Sequence, residues 1–169
     1  MPLNFIVGDA VAAFGDGFGA AVNDVLRARF PSLTLGGAEP YASEEVDVAG
    51  WRALQKRVAQ LMSAPQVTAI DVYLAVYVPI DFETIEEVAV PNAADPLQIG
   101  SVMQLMSELR DFAARVSLPT DEVELMQLGI KYLEDDELLD ADLDVQTYVQ
   151  LMLSAKQAAA TKQPLWVKS

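Results

Sequence analysis

The chain has 169 residues, of which 52% are apolar and 21% are charged, and its formal net charge is -14. This length and composition exclude a disordered chain and favour one domain, residues 1–169, with a packed core. Histidine and cysteine are absent, which excludes disulfides, thiolate metal sites, Ser-His and Cys-His nucleophiles, and imidazole general bases.

The N-terminal part of the chain predicts two strands separated by one helix. LNFIV at residues 3–7 is a short apolar run that is typical of a strand. Apolar residues within 20–30 recur every three or four positions, which predicts an amphipathic helix that ends before Pro31. SLTL at residues 32–35 predicts the second strand, and the turn-forming residues 36–45 predict a loop.

The middle of the chain predicts a helix followed by a hairpin. Asp47 is a predicted N-cap, and an apolar stripe within residues 51–62 predicts the helix that it begins. VTAIDVYLAVYV at residues 67–78 changes to a two-residue period, which predicts a strand with one buried face. Residues 79–81 predict a turn and residues 82–90 a weaker strand, so the simplest pairing is an antiparallel hairpin.

The rest of the chain predicts three helices and a closing strand. DPLQ at residues 95–98 matches a capping box and predicts a helix start, followed by an apolar stripe within 102–116. Thr120 is the predicted cap of a shorter helix, the last helix occupies 145–163, and PLWV at 164–167 predicts a strand. Methionines within the helical stripes are predicted to fill gaps in the core: Met103, Met106, Met126 and Met152.

These elements predict an α+β fold with about five helices packed on a small sheet that contains one antiparallel hairpin. A small α/β fold is the alternative. VYLAVYVPI, the longest strongly apolar stretch without charge, is far shorter than the roughly 20 residues that span a bilayer, so we expect no membrane contact. The first basic residue is Arg27, so no positively charged leader precedes the first apolar run, and a cytoplasmic location is the default.

The glycine-rich stretch near the N-terminus imitates a nucleotide-binding turn. Gly15, Gly17 and Ala20 match the spacing G-x-G-x-x-[G/A], and Glu39 lies at about the distance of a ribose-binding acid. The preceding segment, residues 9–14, is alanine-rich and a poor strand former. The competing interpretation is a glycine-rich turn that lets the first helix pack closely on its neighbours.

Acidic residues are concentrated between residues 134 and 144. Asp140, Asp142 and Asp144 fit the first three ligand positions of an EF-hand loop, but Val145 stands where the sharp turn needs glycine. We therefore predict no metal ion and no cofactor, and interpret the segment as an inter-helix loop that also offers a contact patch for a basic partner. The candidate partner-binding residues in this segment are Asp135, Asp136, Asp140 and Asp142.

Two tyrosines are further candidates for partner contact. Tyr73 and Tyr77 share one face of the predicted strand, opposite Ile70, Val72 and Leu74. Aromatic residues on an amphipathic surface are enriched in protein interfaces. The alternative is that a second helix covers them.

No catalytic motif accompanies these features, and we predict that the protein is not an enzyme. Its acidity disfavours nucleic acid, which proteins bind through Lys and Arg, and favours a basic protein partner. The leading hypothesis is a non-catalytic acidic interaction module, of the immunity, chaperone or inhibitor type. The alternatives are a small nucleotide-binding domain that uses residues 15–20 and a structural subunit of a larger assembly, such as that of a phage.

Overall fold

The computed structural model describes residues 1–138 and 140–169, in which one sheet lies between two layers of helices. The strands of this described part are β1 (Pro2–Val7), β2 (Tyr41–Ala42), β3 (Val46–Asp47), β4 (Ala75–Val78), β5 (Glu86–Val88), β6 (Leu97–Ser101) and β7 (Leu165–Lys168). Its helices are α1 (Ala10–Phe14), α2 (Asp16–Arg29), α3 (Val48–Leu61), α4 (Pro65–Thr68), α5 (Val102–Val116), α6 (Glu122–Glu134) and α7 (Leu143–Thr161), with a 3-10 turn at Asp136–Leu138.

The sheet is mixed, with the order β2-β1-β7-β4-β6-β5, and β3 also pairs with β1. β7 is antiparallel to both β1 and β4, while β4 and β6 are parallel. β5 and β6 form an antiparallel pair at the far edge. The last strand in the chain therefore lies in the middle of the sheet, between strands from the beginning and the middle of the chain.

Both faces of the sheet are covered, because consecutive apolar residues of the central strands β4 and β7 point to opposite faces. Phe5, Tyr77 and Val167 pack on one face with helices α3, α5 and α7. Val76 and Trp166 pack on the other face with residues of α1 and α2. Both faces are buried, so the sheet separates two apolar clusters.

Side-chain caps fix where several helices begin. The Asp47 carboxylate accepts a hydrogen bond from Ala49 N at 2.7 Å, which confirms the predicted start of α3. Asp121 accepts from Val123 N and Glu124 N at the start of α6, so the cap is Asp121 and not the predicted Thr120. These bonds satisfy backbone N–H groups that a helix start leaves without partners.

The predicted strand at 67–78 is too long, because residues 67 and 68 belong to a helical turn and residues 69–74 form bends and irregular structure. Residues Pro65–Thr68 form α4, and the strand begins only at Ala75. The Glu108 carboxylate accepts hydrogen bonds from Gln66 N and Val67 N, both at 3.1 Å, which holds this helical turn. Within the two-residue period at residues 70–78, only the residues from Ala75 onward form a strand.

The predicted helix start at 95–98 is also wrong. Residues from Leu97 onward form β6, and α5 begins after Ser101, whose hydroxyl accepts from Gln104 N. The Gln98 side chain instead accepts from Asp71 N at 2.7 Å and donates to Ala69 O at 3.0 Å. Sheet pairing with β4 and β5 therefore decides the conformation of this segment.

Three other expectations need correction. Residues 32–35 form no strand; the Gln163 side chain holds this region by donating to Thr34 O and Gly36 O, both at 3.0 Å. The predicted loop 36–45 contains β2. The weaker strand at 82–90 pairs with β6 and not with β4.

The fold is α+β in broad terms, but it has more helices than the expected five and a larger sheet. Of the helices in the described residues, none combines the length and hydrophobicity that crossing a bilayer requires.

Candidate protein-binding surface

Helix α6 packs on α7 through one side and leaves a second apolar side in solvent. Its buried residues, Leu125, Gly129 and Tyr132, are spaced four and three positions apart and face the core. The opposite side carries four large apolar side chains that are about half exposed: Val123 (60%), Met126 (50%), Ile130 (47%) and Leu133 (48%). We call these four side chains the α6 stripe.

The α6 stripe is a concentrated feature, because four of the eight large apolar side chains exposed in the described residues belong to it. Single exposed apolar residues are normal on protein surfaces, whereas contiguous ones mark interaction sites. The stripe extends from Val123 to Leu133, ten steps along the helix, or about 15 Å at 1.5 Å per residue. The spacing of three, four and three positions keeps all four side chains on one face.

A groove of about 300 Å³ lies beside the stripe, between α6, α7 and the edge strand β2. Met126, Ile130 and Leu133 line it from α6, and Leu153 lines it from α7. Tyr41 lines it from β2. Three of the four stripe residues therefore form one wall of a concave, largely apolar surface, which is the shape that binding sites usually take.

Carboxylates border this groove. Glu44 and Glu122 line it, and both side chains are exposed. Burial raises the pKa of Tyr41 above its usual value, a hydrogen bond with Ser154 opposes this, and the negative charges of Glu44 and Glu122 raise the pKa further. The Tyr41 hydroxyl is therefore neutral at physiological pH, and Glu44 and Glu122 are the acids nearest to it in the groove.

Further acids lie at both ends of the stripe. Glu122 and Glu124 occupy the first turn of α6, where they also suit the helix dipole. At the other end, Glu134, Asp135 and Asp136 lie together along an open surface depression that Lys131 also lines. We call these exposed acids, with Glu44, the acidic rim. None of them forms an ion pair within the described part of the chain.

The predicted acidic contact residues thus lie next to an apolar surface, but they differ in whether another side chain of the protein already binds them. Asp135 and Asp136 belong to the acidic rim, and Asp140 is exposed in the following turn. Asp142 accepts a hydrogen bond from the Tyr132 hydroxyl at 2.9 Å, and burial together with this carboxylate raises the pKa of Tyr132 to about 12. The neighbouring Asp144 pairs with Arg57 at 2.7 Å. Asp142 therefore has a structural role in joining α6 to α7.

The two candidate tyrosines lie apart. Tyr73 is 62% exposed and precedes β4. Tyr77 is completely buried, and its hydroxyl donates to Gln66 O at 2.6 Å. The expectation of a shared surface is wrong, because the strand begins at Ala75 and Tyr77 faces the helices on the core side.

The candidate nucleotide turn has a different geometry from the one predicted by its spacing. The segment before Gly15 is helix α1 and not a strand, and Gly17 and Ala20 lie within α2. Glu39 lies in the exposed loop before β2.

Gly19 is the glycine in this stretch that a larger residue could not replace without a shift of the backbone, since a Cβ there would lie 2.6 Å from Val11 Cα. This supports close packing of the first helices as the reason for a glycine in the stretch.

The sequence analysis missed the α6 stripe, although its spacing is visible in the chain. All four methionines are predicted to lie in the core. Met126 and Met103 are instead exposed, at 50% and 42%, whereas Met106 and Met152 are buried as predicted. The informative signal was that α6 has two apolar sides, of which only one can face α7.

Comparison with protein-family models, with curated proteins and with solved structures found no match to this chain. Within the described residues, no group of three or more acidic side chains is arranged to hold a metal ion. The surface formed by α6, its groove and the acidic rim is the feature of this molecule that bears on function.

Proposed function

We propose that this protein is a non-catalytic binding module whose α6 stripe and adjoining groove receive a basic, partly apolar segment of another protein. The observation that carries the proposal is the exposed stripe bordered by carboxylates at both ends. Apolar contact would supply affinity, and the acidic rim would supply attraction and select a cationic partner.

The size of the stripe shows why charge has to contribute. Full burial of a large apolar side chain is worth about 1.5–3 kcal/mol, so covering four half-exposed ones contributes roughly 3–6 kcal/mol. Association costs about 4 kcal/mol or more in lost translational and rotational freedom. The stripe alone leaves little net affinity, so binding should depend on the acidic rim and weaken as salt screens it.

A second copy of this chain is a poor partner for the same surface. Glu122 and Glu124 lie at the beginning of α6 and Glu134 at its end, while Lys131 is the only base in the helix. Parallel packing of two copies would bring identical acidic ends together. Antiparallel packing would bring the first-turn acids of one copy near Glu134 and Lys131 of the other, so only one base opposes the acids. A basic partner complements the acids better than a second copy does.

The proposal can be tested with labelled peptides of about 14 residues, enough for some four helical turns. One peptide combines leucines with lysines, and a second has glutamates in place of the lysines. We expect the lysine peptide to bind in a fluorescence anisotropy titration and to lose affinity between low and high salt. The glutamate peptide should not bind. Equal binding of both peptides would contradict the proposal.

Two variants locate the binding surface. Leu133 in the stripe and Leu61 at the end of α3 are both exposed leucines on helices, at 48% and 42%. We expect Leu133→Asn to weaken the lysine peptide about tenfold, or about 1.4 kcal/mol, and Leu61→Asn to leave its affinity unchanged. An equal effect of the two substitutions would place binding outside the α6 stripe.

A further inference from the structure

We infer that the segment received by this surface is an amphipathic α-helix of about three turns, with lysine or arginine near both of its ends. This inference rests on the proposed function and specifies the form of the partner. Three observations carry it: the spacing of the stripe, the condition of the neighbouring sheet edge, and the positions of the acids.

The spacing of the stripe matches a helix better than a strand. Its side chains at Val123, Met126, Ile130 and Leu133 lie at rises of about 0, 4.5, 10.5 and 15 Å along α6. A partner helix presents the same intervals when its apolar residues recur every three or four positions, and such helices pack by interdigitation. A strand presents one face every two residues, or about 6.6 Å, and loses register with the stripe within its length.

The neighbouring sheet edge is poorly prepared to accept an added strand. β2 is the edge strand beside the groove, and it contains only Tyr41 and Ala42. Pro40 before it has no N–H to donate. Glu44 N already donates to Gln150 Oε1 at 3.2 Å. Because strand addition depends on free backbone groups along an edge, an extended partner would gain little here.

The acids are placed for a helix with charged ends and an apolar middle. Glu122 and Glu124 flank one end of the stripe, and Glu134, Asp135 and Asp136 flank the other, about 15 Å away along α6. Between them lie the apolar side chains of the stripe, with the exposed Gln127 and Lys131 beside them. A partner helix with basic residues about ten positions apart would reach both groups of acids while its apolar residues cover the stripe.

The test compares two peptides of identical composition, each with four leucines among lysines and alanines over about 14 residues. In the helix-periodic peptide, the leucines recur every three or four positions. In the strand-periodic peptide, they alternate with the other residues. The readouts are affinity by fluorescence anisotropy, peptide helicity by circular dichroism in the mixture, and the amide resonances that shift in the protein.

We expect the helix-periodic peptide to bind at least tenfold more tightly, to gain helicity on binding, and to shift resonances of α6. Leu133→Asn should abolish this preference, and Leu61→Asn should preserve it. If the strand-periodic peptide binds α6 equally well, or if the bound peptide gains no helicity, the inference fails and the proposed function stands. If neither peptide binds, both fail. A concentration-dependent dimer that Leu133→Asn disrupts would assign the surface to a second copy and overturn both.

Discussion

Gly19 is the residue that the contact between α1 and α2 depends on. A Cβ at this position would lie 2.6 Å from Val11 Cα and 2.7 Å from Ala10 O. Nonbonded carbon atoms normally approach to about 3.5–4.0 Å, so Gly19→Ala requires α1 and α2 to separate by roughly 1 Å. The obstructing atoms belong to the backbone of α1, and a side-chain rotation therefore cannot relieve the overlap.

The expected change in stability is the difference of two effects. Alanine is favoured over glycine within a helix by about 1 kcal/mol, whereas overpacking costs about 1–3 kcal/mol. Since the overlap is with backbone, we take the upper part of that range and expect Gly19→Ala to lower the free energy of unfolding by about 1–2 kcal/mol. For a domain of this length, that corresponds to a fall in Tm of roughly 2–8 °C.

Gly17, two residues earlier in α2, is the matched control because a Cβ there would have no neighbour within 4 Å. Gly17→Ala should leave stability unchanged or raise it slightly. The free energy of unfolding of both variants and the wild type is measured by urea denaturation, and Tm by circular dichroism. If Gly19→Ala is as stable as Gly17→Ala, the close approach of α1 and α2 is not the reason for this glycine.

Three further predictions concern polar groups that are buried or half-buried. Burial raises the pKa of Glu108 above its ordinary value of 4.5, against two backbone hydrogen bonds. The folded state therefore holds this proton more tightly than the unfolded state, and its contribution to stability falls as pH rises through the raised pKa. Glu108→Gln loses one of the two acceptor oxygens, but relative to the wild type its stability should rise as pH increases from about 4.5 through the raised pKa, and a pH-independent difference in Tm would contradict this. Gln163→Ala removes three hydrogen bonds to residues 34–36 and should cost about 1–3 kcal/mol in urea denaturation. If the free energy of unfolding falls by less than about 0.5 kcal/mol, the hydrogen bonds of Gln163 are not what stabilises residues 34–36. Tyr77→Phe removes the buried hydrogen bond to Gln66 O and should cost about 1–2 kcal/mol, so an unchanged urea midpoint would refute that bond's contribution.

The parts of the fold that sequence predicts well are those decided by neighbouring residues. β1 and the Asp47-capped helix α3 lie close to their predicted positions, and the closing strand expected at 164–167 is β7. In each case the apolar period and the local end signal agree with the environment in the fold. By contrast, the segment beginning at Leu97 has the local signals of a helix start and becomes a strand. Its conformation depends on pairing with β4 and β5, and the sequence of the segment itself does not indicate that pairing.

Of the candidate site, the sequence predicts the acidic residues but not the apolar stripe. The acids around residue 135 are evident in the sequence and lie beside the proposed binding surface. The apolar part was not recognised, because the apolar spacing of α6 does not indicate which side packs on α7. That choice is made by Leu125, Gly129 and Tyr132, which fit against α7 and leave Met126 outside.

The position of β7 between β1 and β4 has a consequence for synthesis of the chain. The Trp166 indole N–H donates to Gly8 O across 158 residues of sequence, and Ile6 pairs with Trp166 in the sheet. Until residues 165–168 have left the ribosome, β1 and β4 each lack the partner between them, and the two halves of the sheet cannot join. Folding thus depends on contacts of very long range, which are slow to form, and the nascent chain is exposed to mispairing during that interval.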